Sequence, residues 1–178
     1  MKRNIFIYAI LLLFPLYVSS AEFAADVIEI NNGYISKKGK IYVKDNKRRI
    51  EFNDSVEKVI TILDLNKDKG YILDPKNKAY VTIYNIKSLI GEDKIYNNKN
   101  AKNIGTEIID NLKCKILQVN EKDNIIYKYW YAELINFPLK IIVSTENKEV
   151  FHREFKNINM RKIDSSLFSV PRDYKKVN

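Results

Sequence analysis

Apolar and polar residues alternate with a period of two through most of this chain, and this alternation predicts a protein made of β-strands. The runs at 41–43 and 50–52 are short, whereas the run at 56–65 is long and rich in β-branched residues. The links between runs are short and polar, as in Asp74-Pro75-Lys76-Asn77, and leave no room for crossover helices. The sheet is therefore predicted to be antiparallel, and strands at such regular spacing favour a barrel or a strongly curved sheet.

Three segments depart from the strand pattern. Residues 85–91 are predicted to form one or two helical turns that end at Gly91, and 164–168 a capped helical turn that ends before Pro171. The stretch 92–103 is polar and rich in asparagine and lysine, and we interpret it as a mobile connection between two halves of the chain. A disordered loop and a lid over a cavity are both consistent with its composition.

The first 21 residues have the three-part layout of a secretory signal peptide. Lys2 and Arg3 give a basic start, 5–18 is apolar, and small residues lie where a signal peptidase would need them, up to Ala21. The apolar run is shorter than the ~20 residues that span a membrane. We therefore predict cleavage near Ala21, a periplasmic location and a single mature domain, 22–178; a retained N-terminal anchor is the alternative.

The only cysteine, Cys114, lies deep in the chain, so no thiol follows the apolar run to receive a lipid. We predict that the mature protein is not lipidated and that Cys114 is a small buried hydrophobe; an intermolecular disulfide or a reactive thiol is the other interpretation. Loss of Lys2 and Arg3 lowers the formal charge from +9 to +7. Because lysines are spread along the whole chain, this charge favours peripheral contact with an anionic membrane over nucleic-acid binding.

Catalytic motifs are scarce in the sequence. A single histidine, His152, excludes a multi-histidine metal site, and it is expected to point outward from a strand. No Gly-x-Ser-x-Gly motif and no phosphate-binding glycine loop are present. We predict a non-enzymatic protein without metal or cofactor, while two convergent carboxylates of a hydrolase stay open as a lesser alternative.

Apolar and aromatic residues form the most distinctive remaining pattern. Trp130 is predicted to share a strand face with Ile126, Ala132 and Leu134, and three tyrosines at 127, 129 and 131 lie on the other face. A strand that is apolar on both faces must be covered on both, by its own core or by a ligand. The residues predicted to form an apolar, ligand-binding wall are Ile41, Val43, Ile50, Phe52, Ile60, Ile62, Val81, Ile83, Trp130 and Ile141.

Several short phrases, taken in order, resemble the periplasmic lipoprotein-carrier family of LolA and LolB, and most of all an uncharacterised, outer-membrane-lipoprotein-sorting-like branch of it. They cover nearly all of the mature chain. The phrases are Phe23-Ala24-Ala25-Asp26-Val27, Gly39-Lys40-Ile41-Tyr42-Val43, Arg48-Arg49-Ile50-Glu51, Asp74-Pro75-Lys76-Asn77-Lys78-Ala79-Tyr80, Gly105-Thr106-Glu107-Ile108-Ile109 with Cys114-Lys115, Trp130-Tyr131-Ala132-Glu133-Leu134 with Pro138-Leu139-Lys140-Ile141, and Leu167-Phe168-Ser169-Val170-Pro171 with Tyr174.

The resemblance implies a mainly β fold: an open, strongly curved antiparallel half-barrel of about eleven strands, with one or two short helices in or near its mouth. It also implies a non-enzymatic periplasmic carrier whose partner is a hydrophobic ligand, such as a lipid or a lipoprotein acyl chain. The alternative is a structural or protein-interaction module of the envelope, with an envelope protein as partner and a barrel filled by its own side chains. A carrier would leave a connected apolar cavity and a filled module would not.

Overall fold

The computed structural model describes residues 22–53, 58–87, 100–146 and 148–177. The predicted signal peptide, residues 88–91 of the predicted helical turns and most of the 92–103 connection lie outside these ranges. The strands are β1 (Glu22–Asn31), β2 (Tyr34–Lys44), β3 (Lys47–Asn53), β4 (Lys58–Asp64), β5 (Lys69–Asp74), β6 (Ala79–Tyr84), β7 (Lys102–Ile109), β8 (Leu112–Asn120), β9 (Ile125–Ala132), β10 (Phe137–Thr145), β11 (Lys148–Met160) and β12 (Lys175–Lys176).

All twelve strands belong to one open sheet, in the order β12-β6-β5-β4-β3-β2-β1-β11-β10-β9-β8-β7. Strands β1–β6 and β7–β11 are two meanders, and the antiparallel pairing of β1 with β11 joins them. Only the short β12 runs parallel to its neighbour, β6. The predicted open, antiparallel half-barrel is therefore confirmed, with eleven longer strands and a two-residue strand at one edge.

Irregular pairing bends the sheet at its centre. The register shifts between β1 and β11 at Ala24/Asp26, and between β10 and β9 at Pro138/Lys140. Asn157, on the bulged side of β11, has φ 54°. Such bulges increase local twist and let a long sheet curl. The concave side that results encloses the largest core cluster.

That core is dominated by buried aromatic and aliphatic side chains from both meanders. Phe137 is 1% exposed and meets Phe23 and Phe155 edge to face, with ring centroids 5.1 and 5.2 Å apart. Edge-to-face contact is the favoured arrangement for such rings. The buried members of this main core are Phe23, Ala25, Val27, Ile41, Val43, Cys114, Trp130, Ala132, Ile135, Phe137, Leu139 and Phe155.

The expectation that Ile60 and Ile62 share a wall with Ile41 and Val43 is wrong. Thr61 of β4 pairs with Ile50, which itself pairs with Ile41, so the two isoleucines of β4 point to the opposite face. There they form a second cluster under the C-terminal segment 163–174, together with Leu73, Ile163 and Phe168. We call the face of Ile41 the inner face and the face of Ile62 the outer face.

The two short helical turns take different roles. Ser165–Phe168 is a 3₁₀ turn, and the Asp164 carboxylate accepts a hydrogen bond from the Ser166 amide, as the predicted cap requires. A second 3₁₀ turn, Glu133–Ile135, ends the β9 strand at Ala132. Leu134 is therefore 76% exposed and does not share the strand face of Trp130, contrary to the sequence prediction. No helix in the described ranges is long and apolar enough to cross a membrane.

Candidate functional site

The inner face has two parts with different exposure. Around β1, β2 and β9–β11 it is packed closed by the main core. A space beside Phe137 and Phe155 in this part measures about 20 Å³ and is lined also by Ile41, Ile50 and Ile141. That volume admits about one water molecule. The space beside Phe137 and Phe155 is therefore too small for an acyl chain.

Charged side chains are also buried in the closed half. The Glu29 carboxylate is 5% exposed and accepts a hydrogen bond from Arg153 Nε at 2.8 Å. Lys37 Nζ lies 3.9 Å from the same carboxylate. The guanidinium of Arg48, 7% exposed, lies 4.9 Å from the centre of the Phe137 ring. Arg153 and Lys37 thus compensate the buried charge of Glu29, as a folded interior requires, and the Phe137 ring covers the Arg48 guanidinium.

On strands β3–β6 the inner face is apolar and reaches solvent. Phe52 lies directly opposite Val59, and Ile72 opposite Val81, so these side chains form one continuous patch in the register of the sheet. Val59 and Ile72 are 38% and 37% exposed. We call this patch the open wall, and its members are Ile50, Phe52, Val59, Ile72, Val81 and Ile83.

An antiparallel sheet usually buries one face and presents polar side chains on the other. Here the outer face of the same strands is already buried, since Ile60, Ile62 and Leu73 lie under the C-terminal segment. The open wall is nevertheless apolar, which marks a surface suited to binding. Lys37 Nζ lies 5.2 Å from the centre of the Phe52 ring and supplies a cation at one end of this wall.

The ten predicted wall residues therefore divide among several places. Ile41 and Val43 are core, Ile50, Phe52, Val81 and Ile83 belong to the open wall, and Ile60 and Ile62 face outward. Ile141 packs in a third cluster with Val119 and Tyr129. Their role in ligand binding stays a prediction. The alternation did not single out Val59 and Ile72, although both are apolar residues at inward positions.

Trp130 lies in the main core, as predicted, and is 7% exposed. Its indole Nε1 donates a hydrogen bond to the Glu107 carboxylate, and Lys140 Nζ lies 4.6 Å from the ring centre. An indole covered on its face and bonded at its edge is a satisfied core residue. The geometry places Trp130 in the closed half, away from the open wall of β3–β6.

The tyrosines opposite Trp130 pack against one another. The rings of Tyr127 and Tyr129 are stacked, 6.1 Å apart and 3° from parallel. Tyr129 is 3% exposed, and burial raises the pKa of its hydroxyl. In the described part of the chain this pair therefore belongs to a small core cluster, and its stacking runs along β9 rather than between strands.

The side chains that could take part in catalysis or metal binding do not lie together in the described ranges. Cys114 is fully buried, as predicted, and burial raises the pKa of its thiol. His152 lies on the outer face of β11, as predicted, because its neighbour Arg153 lines the inner face; its side chain is only 14% exposed between isoleucines of β1 and β10, with Nδ1 3.3 Å from the Glu149 carboxylate. Two strands separate these residues. Within the described ranges, no group of three or more metal-binding side chains lies together.

Solved structures share this fold. An uncharacterised conserved protein from Thermus thermophilus matches with a TM-score of 0.62 at 13% identity, over 89% of this chain and 91% of that one. The Pseudomonas aeruginosa MucA/MucB complex matches with a TM-score of 0.60 at 12% identity, over 88% of this chain and 58% of that one. This chain thus spans little more than half of the MucB structure that it matches.

At a lower TM-score, 0.40, the fold neighbours include a LolA superfamily protein from Nitrosomonas europaea, at 10% identity over 84% of this chain and 90% of that one. No family model and no curated protein matches the sequence. The chain has an open half-barrel fold that it shares with the Thermus thermophilus protein and with MucB, and at these identities the likenesses describe the fold alone.

Proposed function

We propose that this chain is an exported, non-enzymatic binding protein that holds a hydrophobic ligand, such as a lipid or a lipoprotein acyl chain, on the open wall. The observation that carries the proposal is the solvent-reaching apolar face of β3–β6, whose opposite face is already buried by the protein itself. In this arrangement the closed half is a rigid, filled scaffold and only the open wall receives the ligand.

The chemistry of the wall favours an alkyl chain as occupant. Its side chains are hydrocarbon apart from the hydroxyl of Thr61 between Ile50 and Ile72, and the backbone groups beneath them are paired between neighbouring strands. An extended peptide binds best at a sheet edge, where backbone groups are available, and gains little from such a face. Lys37 at one end of the wall offers a positive charge to an anionic head group.

The test is a titration with cis-parinaric acid, a fluorescent fatty acid. Ile72→Ser removes an exposed wall side chain and should weaken binding about fivefold, because burial of half an isoleucine is worth roughly 1 kcal/mol. Ile108→Ser is the matched control: Ile108 is 73% exposed on β7, away from the wall. Saturable binding that Ile72→Ser weakens and Ile108→Ser leaves unchanged supports the proposal.

Two results would refute it. One is the lack of saturable binding by the wild-type protein, and the other is an equal loss of affinity in the two serine variants. The export part is tested separately, by peptide mapping of protein recovered from the periplasm. We expect an N-terminus near Glu22, and peptides from 1–18 in that material would contradict export with cleavage.

A second candidate is a protein-interaction module of the envelope. It is favoured by the closed half, where the cavity beside Phe137 holds about 20 Å³, and by the fold likeness to MucB, which is solved in complex with MucA. The two candidates differ in the titration above, because a module of this kind would show no saturable fatty-acid binding. Cross-linking in intact cells would then be the experiment that identifies a partner.

A further inference from the structure

The outer face carries a cleft that was not predicted from the sequence and has no part in the proposed function. It lies between β4–β6 and the C-terminal segment, is half open to solvent and measures about 320 Å³. That size is at the lower end of the range of small-molecule sites. The cleft and the open wall are on opposite faces of the sheet, since Ile62 lines the one and Ile50 belongs to the other.

The rim of the cleft is cationic. Lys47 and Lys69 flank Asp64 directly, one on each neighbouring strand, and Lys67 Nζ lies 3.9 Å from the Asp64 carboxylate. These three lysines and one aspartate line the same cleft, so two positive charges remain uncompensated within this group. A single carboxylate cannot neutralise three ammonium groups, and the excess attracts anions.

The floor of the cleft is apolar and aromatic. Ile62 and Phe168 are 2% and 7% exposed and form its base, while the rings of Tyr71 and Tyr80 meet edge to face at 5.9 Å beside them. Lys69 Nζ lies 5.2 Å from the centre of the Tyr71 ring. Hydrogen bonding to Tyr71 raises the pKa of Lys69, which therefore stays charged at neutral pH.

A cationic rim above an apolar floor matches a molecule with one anionic end and an apolar body. We propose that this cleft binds the phosphate end of an amphiphile, whose two negative charges match the two uncompensated lysines, with the anion among Lys47, Lys67 and Lys69 and the first carbons of the apolar part against Ile62 and Phe168. Asp64 then orients the lysines and neutralises only one of their three charges. This site is independent of the ligand on the open wall.

The test uses octyl phosphate below its micelle concentration, with octanol and inorganic phosphate as probes of each half of the interaction. Binding to the whole mature protein is followed by isothermal titration calorimetry. The variants are Lys47→Gln, Lys69→Gln and their combination, and Lys76→Gln, in an exposed turn outside the cleft, is the matched control. Each cleft variant should weaken octyl phosphate binding about threefold to fivefold, the size expected for a solvent-accessible charge pair.

The proposal predicts that octyl phosphate binds more tightly than octanol or phosphate alone, and that the double variant loses about tenfold in affinity. Octanol binding as tight as octyl phosphate binding, or a double variant that binds like wild type, would overturn it. Vesicles with phosphatidylglycerol distinguish the source of the anion. If the wild-type protein sediments with these vesicles and the double variant does not, the anion is a lipid head group. If the protein binds octyl phosphate but does not sediment with the vesicles, the ligand is a free amphiphile.

The proposals for the open wall and for the cleft can be refuted independently of each other. Ile72→Ser, on the open wall, should leave octyl phosphate binding in the cleft unchanged, and Lys47→Gln should leave parinaric acid binding unchanged if the fatty acid sits on the wall. Loss of octyl phosphate binding in Ile72→Ser would place this ligand on the inner face and overturn the cleft assignment.

Discussion

Replacement of Phe137 by alanine tests whether the closed half is a packed core. The ring is 1% exposed, meets Phe23 and Phe155 edge to face, and has the Arg48 guanidinium 4.9 Å from its centre. Phenylalanine-to-alanine changes at such positions cost about 3–5 kcal/mol, through lost transfer energy and the cavity that remains. We expect Phe137→Ala to lower the free energy of unfolding by about 4 kcal/mol.

Urea denaturation followed by circular dichroism measures this loss. With a slope of about 2 kcal/mol per M, the midpoint should fall by about 2 M. Leu134→Ala is the control, because Leu134 is apolar, close in the chain and 76% exposed, and it should change stability by less than about 0.5 kcal/mol. A loss below about 1 kcal/mol for Phe137→Ala would mean that the ring lines open space, and the description of the closed half as filled would be wrong.

Two further predictions concern ionisation. Burial on its own raises the pKa of Glu51, but its contacts with Lys58 Nζ at 2.9 Å and Arg49 Nε at 2.6 Å lower it below the usual 4.5, so its contribution to stability is present above about pH 4.5 and lost as the pH falls further. Glu51→Gln should therefore flatten the acid limb of a plot of unfolding free energy against pH, and an unchanged limb would contradict this. Cys114 is fully buried with a raised thiol pKa, so Ellman's reagent should react with it only after denaturation; rapid reaction of the native protein would show an accessible thiol.

The strands were predictable because their alternation is regular and their links are polar. The 3₁₀ turn after Asp164 was also predictable, since the cap lies within the segment itself. Local sequence carries this information because hairpin pairing and capping involve residues close together in the chain. The open half-barrel could likewise be inferred from ordered phrases along the mature chain.

The faces of β4 could not be predicted in the same way. Val59, Ile60, Ile62 and Leu63 are apolar on both sides of the strand, so alternation does not say which pair points inward. The outer pair is buried by Phe168 and its neighbours, which lie about a hundred residues further along the chain.

The pairing of β1 with β11 has a consequence for how this protein reaches its native state. Every other antiparallel pair joins strands that are adjacent in the chain, whereas this pair brings Phe23 opposite Met160. The two meanders can form early from local hairpins, but closure of the long loop between them costs entropy before the central contacts repay it. Until β11 arrives, β1 is a bare edge that displays Phe23, Ala25 and Val27, and such an edge invites pairing with other chains. The slow step in folding, and the moment of greatest aggregation risk, should therefore be the docking of the two meanders, which only a nearly complete polypeptide can carry out.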